Sequence, residues 1–157
     1  MNISLRINSR EHHLDVQAND ILIHVLRAEG YFGVKRGCDT GECGACTVLL
    51  DGRPVLSCLM LAAQADGMEV TTIEGLGALG DLHPIQRAFL ECGAVQCGFC
   101  TPAMVLVSYA LLRRNGDPTE EEVRDSLGGV LCRCTGYAKP VRAVLLAAAR
   151  QREAPGA

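Results

Sequence analysis

Nine cysteines stand in 157 residues, and eight of them fall into two groups of four, one group in each half of the chain. That partition limits what the chain can be. There is no Trp, and only three Phe and three Tyr, so neither half has much aromatic surface to bury. A module of fewer than about 80 residues rarely holds itself together on its core alone, which makes the cysteines candidates for holding something bound. The start, Met1-Asn2-Ile3-Ser4-Leu5-Arg6-Ile7-Asn8, alternates apolar and polar residues. It reads as a strand and lacks the basic start and apolar core of a secretory leader. A cytoplasmic location is the resulting expectation, and in a reducing compartment cysteines serve as metal ligands or redox groups more often than as disulfides.

Charge and hydropathy exclude two classes of partner. The formal net charge is −3, which gives no electrostatic reason to expect nucleic acid or an anionic membrane. The longest apolar stretch, residues 104–112, is interrupted by Ser108 and falls well short of the roughly 20 residues a bilayer span needs.

The first group reads Cys38-x4-Cys43-x2-Cys46, followed after eleven intervening residues by Cys58. This is the plant-type [2Fe–2S] spacing of three clustered cysteines and a distant fourth. Thiolates from one loop can wrap two irons only if the backbone turns sharply. Gly37, Gly41 and Gly44 permit that, and backbone amides can then point at the sulfurs. A four-cysteine zinc site would more naturally show two short pairs. The second group, Cys97-x2-Cys100 with a distant Cys132-x-Cys134, is ambiguous on spacing alone between a four-thiolate zinc site and [2Fe–2S]. Both of its short motifs fall in turns ahead of helices, where free N–H groups and the positive dipole end favour thiolates.

The rest of the chain reads as a small mixed sheet with one helix, followed by four helices. Strands are expected over 2–8 and 12–17 around an Asn8-Ser9-Arg10 turn, then over 47–50 and 54–57 flanking Asp51-Gly52, and over 69–73. Asn19-Asp20 is placed to cap a short helix that buries Ile21, Leu22, Val25 and Leu26 and ends at Gly30. The glycine-rich stretch 75–80 reads as a linker. Helices are expected from Pro84 to Glu91, from a Thr101-Pro102 start through Leu112, from Thr119 to Gly128-Gly129, and from Pro140 to about Gln151. Thr119 and Glu122 supply a capping box to the third of these. The tail from Glu153 to Ala157 is expected to fray. The domain division is therefore 1–76 and 77–157.

Three blocks carry a resemblance: Lys35-Arg36-Gly37-Cys38-Asp39-Thr40-Gly41-Glu42-Cys43-Gly44-Ala45-Cys46-Thr47-Val48, Gly93-Ala94-Val95-Gln96-Cys97-Gly98-Phe99-Cys100-Thr101-Pro102, and Leu131-Cys132-Arg133-Cys134-Thr135-Gly136-Tyr137. Over residues 3 to 150 the chain resembles the iron–sulfur subunit of the molybdenum hydroxylases, the xanthine dehydrogenase and aldehyde oxidoreductase family in its form with separate subunits. The resemblance implies an α+β chain, with a plant-ferredoxin-like β-grasp domain followed by an all-α four-helix domain and one [2Fe–2S] cluster in each. Cys38, Cys43, Cys46 and Cys58 would hold the cluster farther from molybdenum, and Cys97, Cys100, Cys132 and Cys134 the nearer one. Gln96 would contact a molybdopterin carried by a large partner subunit, and a medium subunit would carry FAD. The assembly implied is a hetero-oligomer, in one form a dimer of heterotrimers. The implied activity is electron transfer within an oxidoreductase, with no catalytic residue in this chain. One departure stands out: the family reads Cys-Thr-Pro-Gly where Pro102 is here followed by Ala103, a better helix former.

Two other classes fit parts of the pattern, a freestanding ferredoxin-like carrier and a zinc-stabilised interaction module. The remaining residues suggest little chemistry. Cys92 reads as a buried helix thiol, and His12, His13, His24 and His83 as surface or capping residues. Glu120, Glu121 and Glu122 read as a solvated first helical turn, and Arg113-Arg114 as a solvated helix end. Bound thiolates would take the formal −3 to about −7, since each cluster replaces four neutral thiols by a dianionic unit.

Overall fold

The computed structural model describes residues 1–78 and 80–153. Leu79 of the expected linker and the expected frayed tail beyond Glu153 lie outside the described residues. The chain is α+β, with a five-stranded mixed sheet and five α-helices among the described residues.

Strands β1 (Asn2–Ile7) and β2 (Arg10–Asp15) form an antiparallel hairpin in which Ile7 faces Arg10. Asn8 and Ser9 both take positive φ, 51° and 65°, the backbone of a two-residue turn whose twist matches the strands it joins. The second strand therefore starts at Arg10, two residues earlier than the alternation suggested. Strands β3 (Thr47–Leu50) and β4 (Arg53–Leu56) repeat the device around Asp51 and Gly52. Strand β5 (Glu69–Thr71) runs parallel to β1 and antiparallel to β3, giving the order β2-β1-β5-β3-β4. It ends two residues short of the expected 69–73 because Ile73 to Gly75 wind into a 3-10 turn.

Helix α1 (Leu22–Ala28) lays Leu22, Ile23 and Leu26 on Leu5, Ile7, Val48 and Val70 of the sheet. Each such side chain removed from water contributes about 1.5–3 kcal/mol. Its start departs from expectation. Ile21 occupies the N-cap without a side-chain bond, and the Asp20 carboxylate instead accepts from the Gln17 N–H at 2.8 Å. The carbonyl of Met60 accepts from Leu22 N–H at 2.8 Å, so a distant segment satisfies a donor that a local cap would otherwise take.

The second half contains α2 (Pro84–Glu91), α3 (Thr101–Arg114), α4 (Glu120–Gly128) and α5 (Ala138–Glu153). Phe89, Met104, Leu111, Leu127 and Val144 are among the side chains of their shared core. Helix α3 is buried without a break from Ala103 to Ser108, because it packs on its neighbour helices and also on β3. A helix apolar on all sides needs partners on all sides. Ser108, buried in that run, donates to the Met104 carbonyl at 2.6 Å, which removes the cost of an unpaired hydroxyl. Ala103 is fully buried, so the departure from the family pattern is absorbed within the core. Helix α5 begins at Ala138, ahead of the expected Pro140, and Pro140 lies buried in its first turn where its missing N–H costs nothing. The capping box forms as expected: Thr119 Oγ1 accepts from Glu122 N–H at 3.2 Å, and Glu122 accepts from Thr119 N–H at 2.7 Å. His83 caps α2, its Nδ1 accepting from Ile85 N–H at 3.3 Å. Cys92 is half-buried at the C-cap of α2, not within the helix, and packs on the helical core.

No helix among the described residues is long and apolar enough to cross a membrane.

Candidate metal centres

The glycine-rich segment 37–46 is a loop between α1 and β3, as its composition suggested. Gly41 and Gly44 take φ of +82° and +68°, where a side chain is strained. Gly37 is needed for a different reason: a Cβ there would lie 2.8 Å from Cys43 Sγ and 3.5 Å from the Phe99 ring. The loop leaves room around its sulfurs that any other residue would fill.

Its thiols are not equivalent. Cys38 Sγ accepts from the Cys43 and Thr40 N–H groups, both at 3.4 Å, and these bonds, Cys43 first, hold its pKa down at about 6. Burial pushes the Cys43 thiol up, and Cys38 beside it adds to the rise. Cys58 reaches about 11, through burial first and then the neighbouring Cys46 thiol, while the Gly41 amide pulls the other way. Cys46 and Cys58 are buried; Cys38 and Cys43 are half-buried. Cys43 feels Cys38 first and Cys58 feels Cys46 first, and each also feels a thiol of the other two.

The second group repeats the pattern. Cys100 stands at the N-cap of α3, one residue before the expected Thr101 cap, so a thiol occupies the positive end of that helix. Its pKa is pushed up to about 12 by burial and then by Cys132. Cys134 is raised by the Cys97 thiol facing it. At Cys132 burial raises the pKa, but the Thr135 hydroxyl and N–H and the Cys134 N–H outweigh it, leaving about 7. Cys97 and Cys134 are exposed, as is Gln96 beside them, whereas Cys100 is buried.

Among the described residues no three His, Cys, Asp or Glu side chains converge closely enough for one metal ion. Four thiols to a group match the donor set of a two-iron cluster, in which each iron takes two cysteines. The residues present fit two [2Fe–2S] clusters in chemistry and in the space the glycines leave.

The two loops touch. Leu131 N–H donates to the Cys43 carbonyl at 2.9 Å, joining the residue before Cys132 to a thiol-bearing residue of the first group. A Cβ on Gly44 would lie 2.0 Å from the Gly129 carbonyl oxygen, so the backbones of the two halves are in contact there. Phe99, between Cys97 and Cys100, reaches over Gly37. These contacts were not legible in the sequence, which marks the cysteines but not which loop carbonyl meets which amide. Thr135 and Tyr137 were also passed over, although Gly136 before Tyr137 signals the tight turn they share.

Two thiol-lined sites in contact, one beside a mixed sheet and one among helices, define a two-centre iron–sulfur protein. Residues 5–72 match the family described as 2Fe-2S iron-sulfur cluster binding domain, and residues 72–145 the [2Fe-2S] binding domain family. The chain is 48% identical to the nicotinate dehydrogenase small FeS subunit of Eubacterium barkeri, over 94% of this chain and 95% of that one. It is 46% identical to the xanthine dehydrogenase iron-sulfur-binding subunit of Escherichia coli O157:H7, over 91% of each. In structure it is similar to the aldehyde oxidoreductase from Desulfovibrio gigas, with a TM-score of 0.94 and 43% identity, covering 99% of this chain and 18% of that much longer one. The chain belongs to the family of small iron–sulfur subunits of the molybdenum hydroxylases.

Proposed function

We propose that the chain is the electron-transfer subunit of a molybdenum hydroxylase, in which two bound [2Fe–2S] clusters would take electrons singly from a molybdopterin centre in a large subunit and deliver them to a flavin subunit. Cys38, Cys43, Cys46 and Cys58 would hold one cluster in a ferredoxin-like domain of residues 1–76. Cys97, Cys100, Cys132 and Cys134 would hold the other in a four-helix domain of residues 77–157. Gln96, exposed beside the exposed Cys97, would meet the molybdopterin of the large subunit, which would make the second site the entry. The assembly we infer is hetero-oligomeric, a dimer of heterotrimers in its full form, with the large and flavin-bearing subunits as partners and the cytoplasm as its place.

The observation that carries the reading is the contact between the loops. The 2.9 Å bond from Leu131 N–H to the Cys43 carbonyl supplies a short bonded route between the two thiol groups, which two independent structural sites would not require. Burial of Cys46, Cys58 and Cys100 keeps water from the inner thiols, and the exposed Cys97 and Cys134 face outward toward a partner.

The full chain, isolated with its partners, is expected to release sulfide on acidification and to develop two distinct low-temperature paramagnetic signals after dithionite. Cys134→Ser should abolish one signal, keep the other, and stop flavin reduction by the oxidisable substrate. A single signal in the unmodified protein, or flavin reduction at the normal rate in the variant, would overturn the assignment. A colourless, sulfide-free chain containing zinc would replace it by the interaction-module reading.

A further inference from the structure

The segment that follows Cys132 forms a closed hydrogen-bonded ring around that thiol. Thr135 donates to Cys132 Sγ twice, from its hydroxyl at 3.1 Å and from its N–H at 3.4 Å. The hydroxyl oxygen itself accepts from Tyr137 N–H at 3.2 Å, which leaves the hydroxyl proton directed at the sulfur. Tyr137 holds this N–H in place through a backbone φ of +66°, a left-handed conformation costly for an aromatic residue. Its phenolic oxygen is fixed too, accepting from Cys132 N–H at 2.8 Å and donating to the Val130 carbonyl at 3.1 Å. Moving Thr135 away from the sulfur would break its bond from Tyr137 N–H, while the bonds of the phenol hold Tyr137 itself in place.

The first group differs at the matching position. Cys38 Sγ takes its bonds from the backbone amides of Thr40 and Cys43, while the Thr40 hydroxyl donates to Glu42 at 3.0 Å. At Cys132 the hydroxyl is the shorter of the two bonds to sulfur, and removing it also takes the acceptor from Tyr137 N–H.

Hydrogen bonds to a ligating sulfur stabilise the reduced cluster, which carries one more negative charge, and so raise its reduction potential. We propose that Thr135 is a tuning residue: its hydroxyl, aimed by Tyr137, raises the potential of the second-site cluster relative to the first and so draws electrons into the chain at its exposed end. This rests on the two-cluster reading above. A bond to a charged partner that strengthens by one unit of charge shifts an electron-exchange equilibrium about tenfold, and tenfold in a one-electron couple corresponds to about 59 mV.

The test is a potentiometric titration of the full chain with its clusters, followed by the two paramagnetic signals, for Thr135→Val, Thr135→Ala and Thr135→Ser. The Val and Ala variants should lower the second-site potential by about 59 mV, a tenfold shift, and leave the first unchanged. The Ser variant, which keeps the hydroxyl, should titrate as the unmodified protein. Unchanged second-site potentials in Val and Ala, or a Ser variant displaced as far as Val, would overturn the proposal. Loss of the second signal from Val and Ala with retention in Ser would also overturn it, assigning the hydroxyl to assembly. If the unmodified protein lacked two signals, the two-cluster reading itself would fail, and that outcome is distinct from any of these.

Discussion

Cys38 in the sheet half and Cys132 in the helical half are thiols whose pKa is held down, to about 6 and about 7, but the means differ. At Cys38 the leading donors are backbone amides of a loop bent at Gly41 and Gly44. At Cys132 a threonine hydroxyl and a tyrosine clamp are added. The first site thus depends foremost on the main chain, with the Thr40 and Cys43 side chains adding to its amides, whereas at the second a single hydroxyl leads the lowering.

The backbone character of the first site is best broken at Gly44. In Gly44→Ala the new Cβ would lie 2.0 Å from the Gly129 oxygen and 2.9 Å from its carbonyl carbon, and neither half can yield without moving main chain. Overpacking of this kind costs about 3 kcal/mol or more, and the φ of +68° adds about 1 kcal/mol. Gly52→Ala is the control, since its φ is +79° but nothing lies within 4 Å of a Cβ there; it should lose only about 1 kcal/mol. Urea midpoints followed by circular dichroism separate the two. Equal losses would mean that the halves are not locked together at this contact.

How much of this was legible in the sequence depends on the range of the interaction. The Thr119 and Glu122 capping box, the Asp51-Gly52 turn and the Asn8-Ser9 turn are local, so their residues announce them. The first group of four was readable from its spacing, because a cluster loop demands cysteines at fixed intervals, whereas the spacing of the second left zinc and iron both open. The start of α1 was misread because its first N–H is satisfied by Met60, a residue with no local relation to Asn19 or Asp20. The pairing of Cys43 with Leu131 is hidden for the same reason. Thr135 was present in the motif but indistinguishable from a turn residue until its hydroxyl was seen pointing at sulfur.

The side-chain character of the second site is sharpened by Tyr137→Phe. The change keeps the ring, the backbone conformation and the N–H that aims Thr135, but leaves Cys132 N–H without an acceptor and the Val130 carbonyl without its donor. Two part-buried groups left short of partners cost about 1–2 kcal/mol. Bleaching by an iron chelator should accelerate for the second-site cluster alone, read from its paramagnetic signal while the first persists. If both signals decay faster together, the clamp serves the whole fold and the contrast between the halves is lost.

The smallest effect concerns stability away from either group of thiols. Thr119→Ala removes the hydroxyl that accepts from Glu122 N–H at the start of α4, a loss of about 1 kcal/mol that should leave both potentials untouched. Acid should erase part of this difference. Hydrogen bonds from Thr119, its N–H first, hold the Glu122 carboxyl below its ordinary pKa. A carboxylate depressed on folding contributes stability that is present above its unfolded pKa and fades as the pH falls through the folded one. The gap between the parent and Thr119→Ala, read by urea denaturation, should therefore be widest near neutrality and narrow as the carboxylate protonates. A gap that stayed constant through that range would show the threonine acting through the helix N–H alone, with no share from its charged partner.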